Sequence, residues 1–253
     1  MEREEARLAV ARQASALRGA FPTETARAIG ARLYQDLHDD IITGRRRPGE
    51  DLSETRIAEQ YGVSRTPVRE VFHRLVEEGF LRVVPQIGTF VAPINLAAVR
   101  DSQFIREALE CRAIRLTAAK AKAPAIRALR QELKVQERAV AIGDRASFFA
   151  SDERMHQQLL ATAGHPQVWD TIAAAKAQLD RVRYISLEAG DWLDMIFEQH
   201  RTIIERIATG DAAGAERAMQ AHLRTVFAAA DRIAAEHADF FEGAQAKPRR
   251  RRP

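Results

Sequence analysis

A mainly α chain of two domains is what the sequence predicts: a small N-terminal helical unit carrying a β hairpin, then a C-terminal all-α helical bundle. Three observations predict it. The 253 residues exceed the roughly 100 to 200 expected of one domain. Apolar residues recur at three- and four-residue spacing through most of the chain. The segment FLRVVPQIGTFVA at 80–92 breaks that pattern with two short β-type runs around Pro85-Gln86-Ile87-Gly88, which reads as a hairpin.

Composition narrows the function classes. Apolar residues at 46% and charged residues at 29% give the balance of a packed globular protein. No apolar run approaches the roughly 20 residues that cross a bilayer. The first thirty residues are charged where an export signal would be apolar, so a cytoplasmic protein without a membrane is expected. Cys111 is the only cysteine, which excludes an intrachain disulfide framework and a thiolate zinc site. The net charge of +4 is no argument for nucleic acid. Lys247 and Arg249 to Arg252 supply five positive charges, and the rest of the chain carries −1. A DNA case has to rest on where particular arginines sit.

In chain order, residues 1–22 read as a weakly helical, mobile extension. The first domain is expected over 23–95. Its first helix, about Thr23 to Thr43, has Leu33, Leu37 and Ile41 on one face and Gly44 as a stop. A basic turn, RRRPGEDL at 45–52, follows. Ser53 caps a short helix to about Gln60, and Ser64 caps the next, which carries Pro67 in its first turn and Val68, Val71, Phe72 and Leu75 inward. The second domain, 96–240, is expected to hold six helices near 97–122, 124–142, 145–163, 166–187, 191–209 and 211–238, and 241–253 to form a disordered basic tail.

Two short helices joined by a tight turn, with a hairpin after them, form a winged helix-turn-helix, in which the second helix enters the major groove. Ala58 is small where the helices cross, and Gly62 can take the left-handed conformation of the turn. Arg65, Thr66 and Arg69 lie on the outer side of the second helix, and Arg56 is within reach of the DNA backbone. One such arginine alone is more often a solvated surface charge. Several around a helix N-terminus, which itself favours phosphate, reverse that reading.

These residues carry a resemblance. Residues 31–93, with LSETRIAEQYGVSRTPVREVFHRLVEEGF followed by IGTFV, resemble the N-terminal domain of the GntR family of transcription regulators. The resemblance implies that Arg56, Arg65 and Arg69 contact DNA, that Ser64 and Thr66 hold phosphate, and that Gly88 is the wing-tip glycine near the minor groove. Phe72 and His73 stand where the family usually has smaller or more basic residues.

In the second domain Asp152 and His156 are four apart on one helix face, so both can reach one ligand, while His200 and His222 lie on two later helices. Singly, such residues are usually a surface ion pair or satisfied core histidines. Together, three imidazoles and a carboxylate make a plausible set for zinc, nickel, manganese or another divalent ion, with positions left for water or an effector carboxylate. Residues 97–235, through FIREALE, DERMHQQLLATAGHP and EQHRTIIERIATGDAAGAERAMQAHL, resemble the FCD effector domain of the FadR branch of the same family. That resemblance makes Asp152, His156, His200 and His222 the metal ligands. It makes Arg106 an effector-binding cation, weighed against a helix-surface salt bridge to Glu107 or Glu110. Met155 replaces a usual aromatic, and His165 replaces a common asparagine and is read as a helix cap. Six helices favour the smaller, VanR-like form of the domain.

The function expected is that of a homodimeric, sequence-specific DNA-binding regulator, commonly a repressor. It would bind a palindromic double-stranded operator and be controlled by a small organic acid beside the metal. The alternatives are a metal-dependent hydrolase, which leaves the winged helix-turn-helix unexplained, and a ligand-independent architectural DNA-binding protein.

Overall fold

The computed structural model describes residues 24–243; the expected extension at 1–22 and most of the basic tail lie outside them. Among the described residues there are ten α-helices and one three-stranded sheet. The first domain runs α1 (Glu24–Ile42), β1 (Asp51–Leu52), α2 (Glu54–Tyr61), α3 (Arg65–Glu77), β2 (Leu81–Val84) and β3 (Gly88–Val91). Ser53 caps α2 by accepting from the Arg56 amide, and Gly62 ends it at φ 63°, with its N–H donating to the carbonyls of Ala58 and Glu59. That left-handed residue lets α3 start at once across α2. Leu33, Leu37 and Ile41 of α1 meet Ile57, Val68, Phe72 and Leu75 beneath the sheet in one core. The sheet order is β1-β3-β2, all antiparallel. β1, inside the expected basic turn, is a strand the sequence reading lacks.

The second domain comprises α4 (Leu96–Lys120), α5 (Ala123–Ile142), α6 (Arg145–Ala163), α7 (Val168–Ala175), α8 (Ala177–Ser186), α9 (Gly190–Ala208) and α10 (Ala212–Glu236). The expected six helices are therefore seven. The helix expected over 166–187 breaks at Lys176, where the Ser102 hydroxyl donates to the Ala175 carbonyl at 2.5 Å and the Lys176 ammonium is buried between Glu153 and Asp180. The count that favoured the smaller, VanR-like form no longer favours it. Ile114, Leu129, Met155, Leu159, Ile203 and Met219 pack at the centre of the bundle, so Met155 is core.

Two features join the domains. The Gln178 amide of α8 donates to the Gly79 carbonyl just after α3 (2.6 Å), and Arg181, fully buried, donates to the Ala92 carbonyl just after β3 (2.8 Å). Burial lowers the Arg181 guanidinium to about 10. The chain also returns to the junction: Phe241, assigned by sequence to the disordered tail, is buried and bridges Ile94, because its ring and that of Phe240 complete an apolar cluster with Val99 and Leu179. No described helix is long and apolar enough to cross a membrane.

Candidate functional site

On the first domain Arg65, Thr66 and Arg69 project from the start of α3, all exposed, and Arg56 is exposed on α2. Each arginine rests on a carboxylate. Glu54 accepts from Arg65 at 3.0 Å and from Arg69 at 3.4 Å, and Asp51 pairs with Arg56. Ser64 holds the extended N-cap position of α3 without a side-chain cap bond, so the expected hydroxyl cap is not made. Gly88 opens β3 opposite Val84, beside the exposed tip at Ile87. Phe72 is buried in the core and His73 is exposed, so only the latter can alter what this helix presents.

In the second domain four buried side chains converge. Asp152 and His156 come from adjacent turns of α6, His200 from α9 and His222 from α10, and one ligand atom from each lies within 4.8 Å of all the others. His200 Nε2 is 3.1 Å from Asp152 Oδ1 and 3.4 Å from His222 Nε2, and His156 Nε2 is 3.8 Å from Asp152 Oδ1.

The residues behind them explain which atoms face inward. His156 Nδ1 meets Glu110, His200 Nδ1 is 2.8 Å from Gln136 Oε1, and His222 Nδ1 is 3.0 Å from Gln199 Oε1. Each partner atom is an acceptor, so each Nδ1 carries the proton and each Nε2 presents a lone pair. Among the described residues His156 Nε2 has no hydrogen-bond partner. Burial pushes the pKa of His200 down against the pull of Asp152, and burial with the neighbouring imidazoles pushes that of His222 well below its ordinary value. Asp152 is ionised. Burial alone would raise its carboxyl, but the Arg183 guanidinium holds it well below the usual range. Three lone pairs and an anionic oxygen thus face one another with no proton between them, an arrangement that fits a bound cation.

Beside this cluster lies a narrow cleft with a cavity volume of about 40 Å³. Arg106, Asp152, Arg183 and His222 are among its polar lining, and Phe148, Phe149, Trp192, Ile196 and Val226 among its apolar lining. Arg106 is buried, not on a helix surface: its Nε donates to Glu110 at 2.6 Å, while one terminal nitrogen has no partner among the described residues. Burial opposes ionisation of Glu110, but Arg106 and His156 hold its carboxyl at about 2. Arg183, absent from the sequence reading, pairs with Asp152 and is 2.7 Å from both Glu153 and Asp180. Its only sequence signal is a charge in the mixed run LDRVRYIS. His165 is exposed after the end of α6, outside the cleft lining.

Comparison with known proteins agrees with this architecture. Residues 29–91 match the model of bacterial regulatory proteins, gntR family, and residues 101–225 match the FCD domain. An uncharacterized HTH-type transcriptional regulator in an unstable DNA locus of Streptomyces ambofaciens is 39% identical, over 83% of this chain and 88% of its own. The HTH-type transcriptional repressor RspR of Escherichia coli K12 is 35% identical, over 84% of this chain and 93% of its own. Among solved structures, E. coli McbR/YncC superposes with a TM-score of 0.68 at 21% identity, covering 81% of this chain and 98% of that one. A putative GntR regulator from Rhodococcus sp. RHA1 gives 0.67 at 22%, with the same coverage. These two likenesses speak for the fold. The family and the relatives are transcription regulators, which sets the hydrolase reading aside. The chain belongs to the GntR family of bacterial regulatory proteins: it is a DNA-binding transcription regulator that joins an N-terminal helix-turn-helix to a C-terminal FCD domain.

Proposed function

We propose that the chain represses transcription as a homodimer on a palindromic operator in the cytoplasm, and that a small monocarboxylate held beside a divalent metal sets its operator affinity. The observation that carries this reading is the inward-facing set of three Nε2 lone pairs and Asp152 Oδ1, each imidazole fixed by an acceptor behind it. Asp152, His156, His200 and His222 would hold zinc, nickel or manganese. When bound, such an ion supplies a Lewis-acidic centre for one carboxylate oxygen.

Charge balance supports a monoanion. Glu110, Asp152, Glu153 and Asp180 stand against Arg106, Lys176 and Arg183, leaving one uncompensated negative charge. A divalent ion turns that into one positive charge, which a single carboxylate neutralises. The unpartnered nitrogen of Arg106 is the donor for it, and the walls of Phe148, Phe149, Trp192 and Ile196 suit an apolar body.

α8 supports a route from cleft to DNA. Arg183 touches the ligand set, while Gln178 and Arg181 on the same helix hold the chain just after α3 and β3. A carboxylate that draws Asp152 or Arg183 aside would shift α8, and with it the recognition helix and wing. On the DNA side Arg65 and Arg69 would leave Glu54 for base edges or phosphate. Arg56, Ser64 and Thr66 would hold phosphate, and Gly88 would let the wing approach the minor groove.

The test is elemental analysis of protein purified without chelators, beside an Asp152→Ala/His200→Ala variant, followed by thermal shift with mono-, di- and tricarboxylates. One metal per chain, lost in the variant together with a preference for apolar monocarboxylates, supports the reading. A metal-free wild type after metal supply, or tighter binding of dicarboxylates, overturns the sensor as described.

A further inference from the structure

The outer face of α4 is complementary to its own reverse, and we infer that it is where two copies of this chain meet, α4 against α4 in antiparallel register about Ala108. Asp101, Phe104, Ala108, Arg112 and Arg115 are all exposed. At the α-helical repeat they fall within about 40° of one direction. A two-fold axis through Ala108 pairs residues whose numbers are equally far from 108. Asp101 then faces Arg115 of the second copy, Phe104 faces Arg112, and the small Ala108 faces itself where the helices come closest. The outermost pair, Ala97 with Ala119, is small and exposed as well.

The complementarity is chemical at each step. Among the described residues Asp101 forms no salt bridge, so its carboxylate faces outward toward the arginine opposite. Phe104 is 76% exposed, a costly position for an aromatic ring on a free surface. Over the second copy it meets a guanidinium, and such a ring and cation attract. At that level the groove between α4 and α10, lined by Cys111, Arg112, Glu216 and Gln220, opens to receive a side chain. The groove walls are fixed within each chain by Arg115 on Glu216 (2.6 Å) and Gln220 on Glu107 (2.7 Å). A contact of this kind is isologous: both copies use the same patch, and the assembly closes at two. Antiparallel helices at a shallow crossing angle keep such a stripe in register over several turns.

The inference rests on the dimer proposed above, and the experiment separates the two. Sedimentation equilibrium of the full chain is run on the wild type, Phe104→Glu, Asp101→Arg, Arg115→Asp and the Asp101→Arg/Arg115→Asp double variant, with circular dichroism to confirm folding. We expect a wild-type dimer, weakened more than about 100-fold by Phe104→Glu, which removes a central aromatic anchor. Each single charge reversal should weaken it about 10-fold by juxtaposing like charges, and the double reversal should return it to within about 3-fold of wild type. An Ala108→Cys/Cys111→Ser chain should be joined to its twin by a short bis-maleimide. A dimer indifferent to all four variants and not joined at position 108 overturns this face while leaving the dimer standing. A wild type that stays monomeric at micromolar concentration overturns both.

Discussion

The two domains hold their arginines in opposite ways. Arg65 and Arg69 of α3 are 58% and 68% exposed, and share the single carboxylate of Glu54. Arg106 and Arg183 of the bundle are 3% and 14% exposed; Arg183 alone contacts Asp152, Glu153 and Asp180. Exposed pairs contribute roughly 0 to 1 kcal/mol, so a recognition helix can exchange Glu54 for DNA at little cost. Breaking a buried pair leaves a charge uncompensated and costs about 3 to 5 kcal/mol. The arginines of α3 are thus placed to change partners and those of the bundle core to keep them. In the function proposed above such a core would move as a unit, through α8.

The sharpest way to break that contrast is to remove one arginine from each region. Arg183→Met should destabilise the chain by about 3 to 5 kcal/mol in urea unfolding, whereas Arg65→Ala should change stability by less than about 0.5 kcal/mol. Equal effects would mean that the buried network is as exchangeable as the surface. Next in size is recognition itself: Arg65→Ala should cost about 1 to 3 kcal/mol on the preferred site and little on random DNA, as read by competition binding. A uniform loss across sequences would make Arg65 a phosphate contact only.

Within the bundle core, Glu110→Gln keeps the shape but gives His156 Nδ1 a weaker acceptor. Metal affinity, followed by chelator competition, should fall about 10- to 100-fold. An unchanged affinity would show that orientation of His156 does not depend on Glu110. Smallest is Glu54→Gln, which releases Arg65 and Arg69 from their carboxylate. Nonspecific DNA binding should tighten by about 2- to 5-fold at low salt, the gain vanishing as salt rises. A loss of binding instead would mean that Glu54 positions the arginines for DNA.

Much of the first domain was legible because its signals are local. Ser53, Gly62 and the inward Val68, Val71 and Leu75 each act within a few residues of where they stand in sequence. β1 was not legible, since two residues carry no alternation, and Asp51–Leu52 is a strand only because Phe90 and Thr89 pair with it. The break at Lys176 escaped for the same kind of reason: no Gly or Pro marks it, and Ser102, 73 residues upstream, takes the freed carbonyl. In the site, Asp152 and His156 announced themselves by four-residue spacing, and His200 and His222 by resemblance. Their supports Glu110, Gln136 and Gln199 did not, because a glutamine or glutamate becomes an imidazole's partner only through the register of other helices. Arg106 was placed in the cleft by resemblance, and the unpartnered nitrogen that supports an effector role is visible only in three dimensions.

The central claim is that cleft and DNA surface are coupled through α8. It is tested most directly by measuring the affinity of the metal-loaded chain for an operator selected from a random DNA pool, with and without a saturating apolar monocarboxylate, in the wild type and in Gln178→Ala/Arg181→Met. The account predicts that the carboxylate changes wild-type affinity by about 5- to 150-fold, the range of a typical coupling energy, and that the double variant still binds both ligands but loses most of that change. A wild type whose operator affinity ignores a bound carboxylate, or a double variant that responds in full, would contradict it.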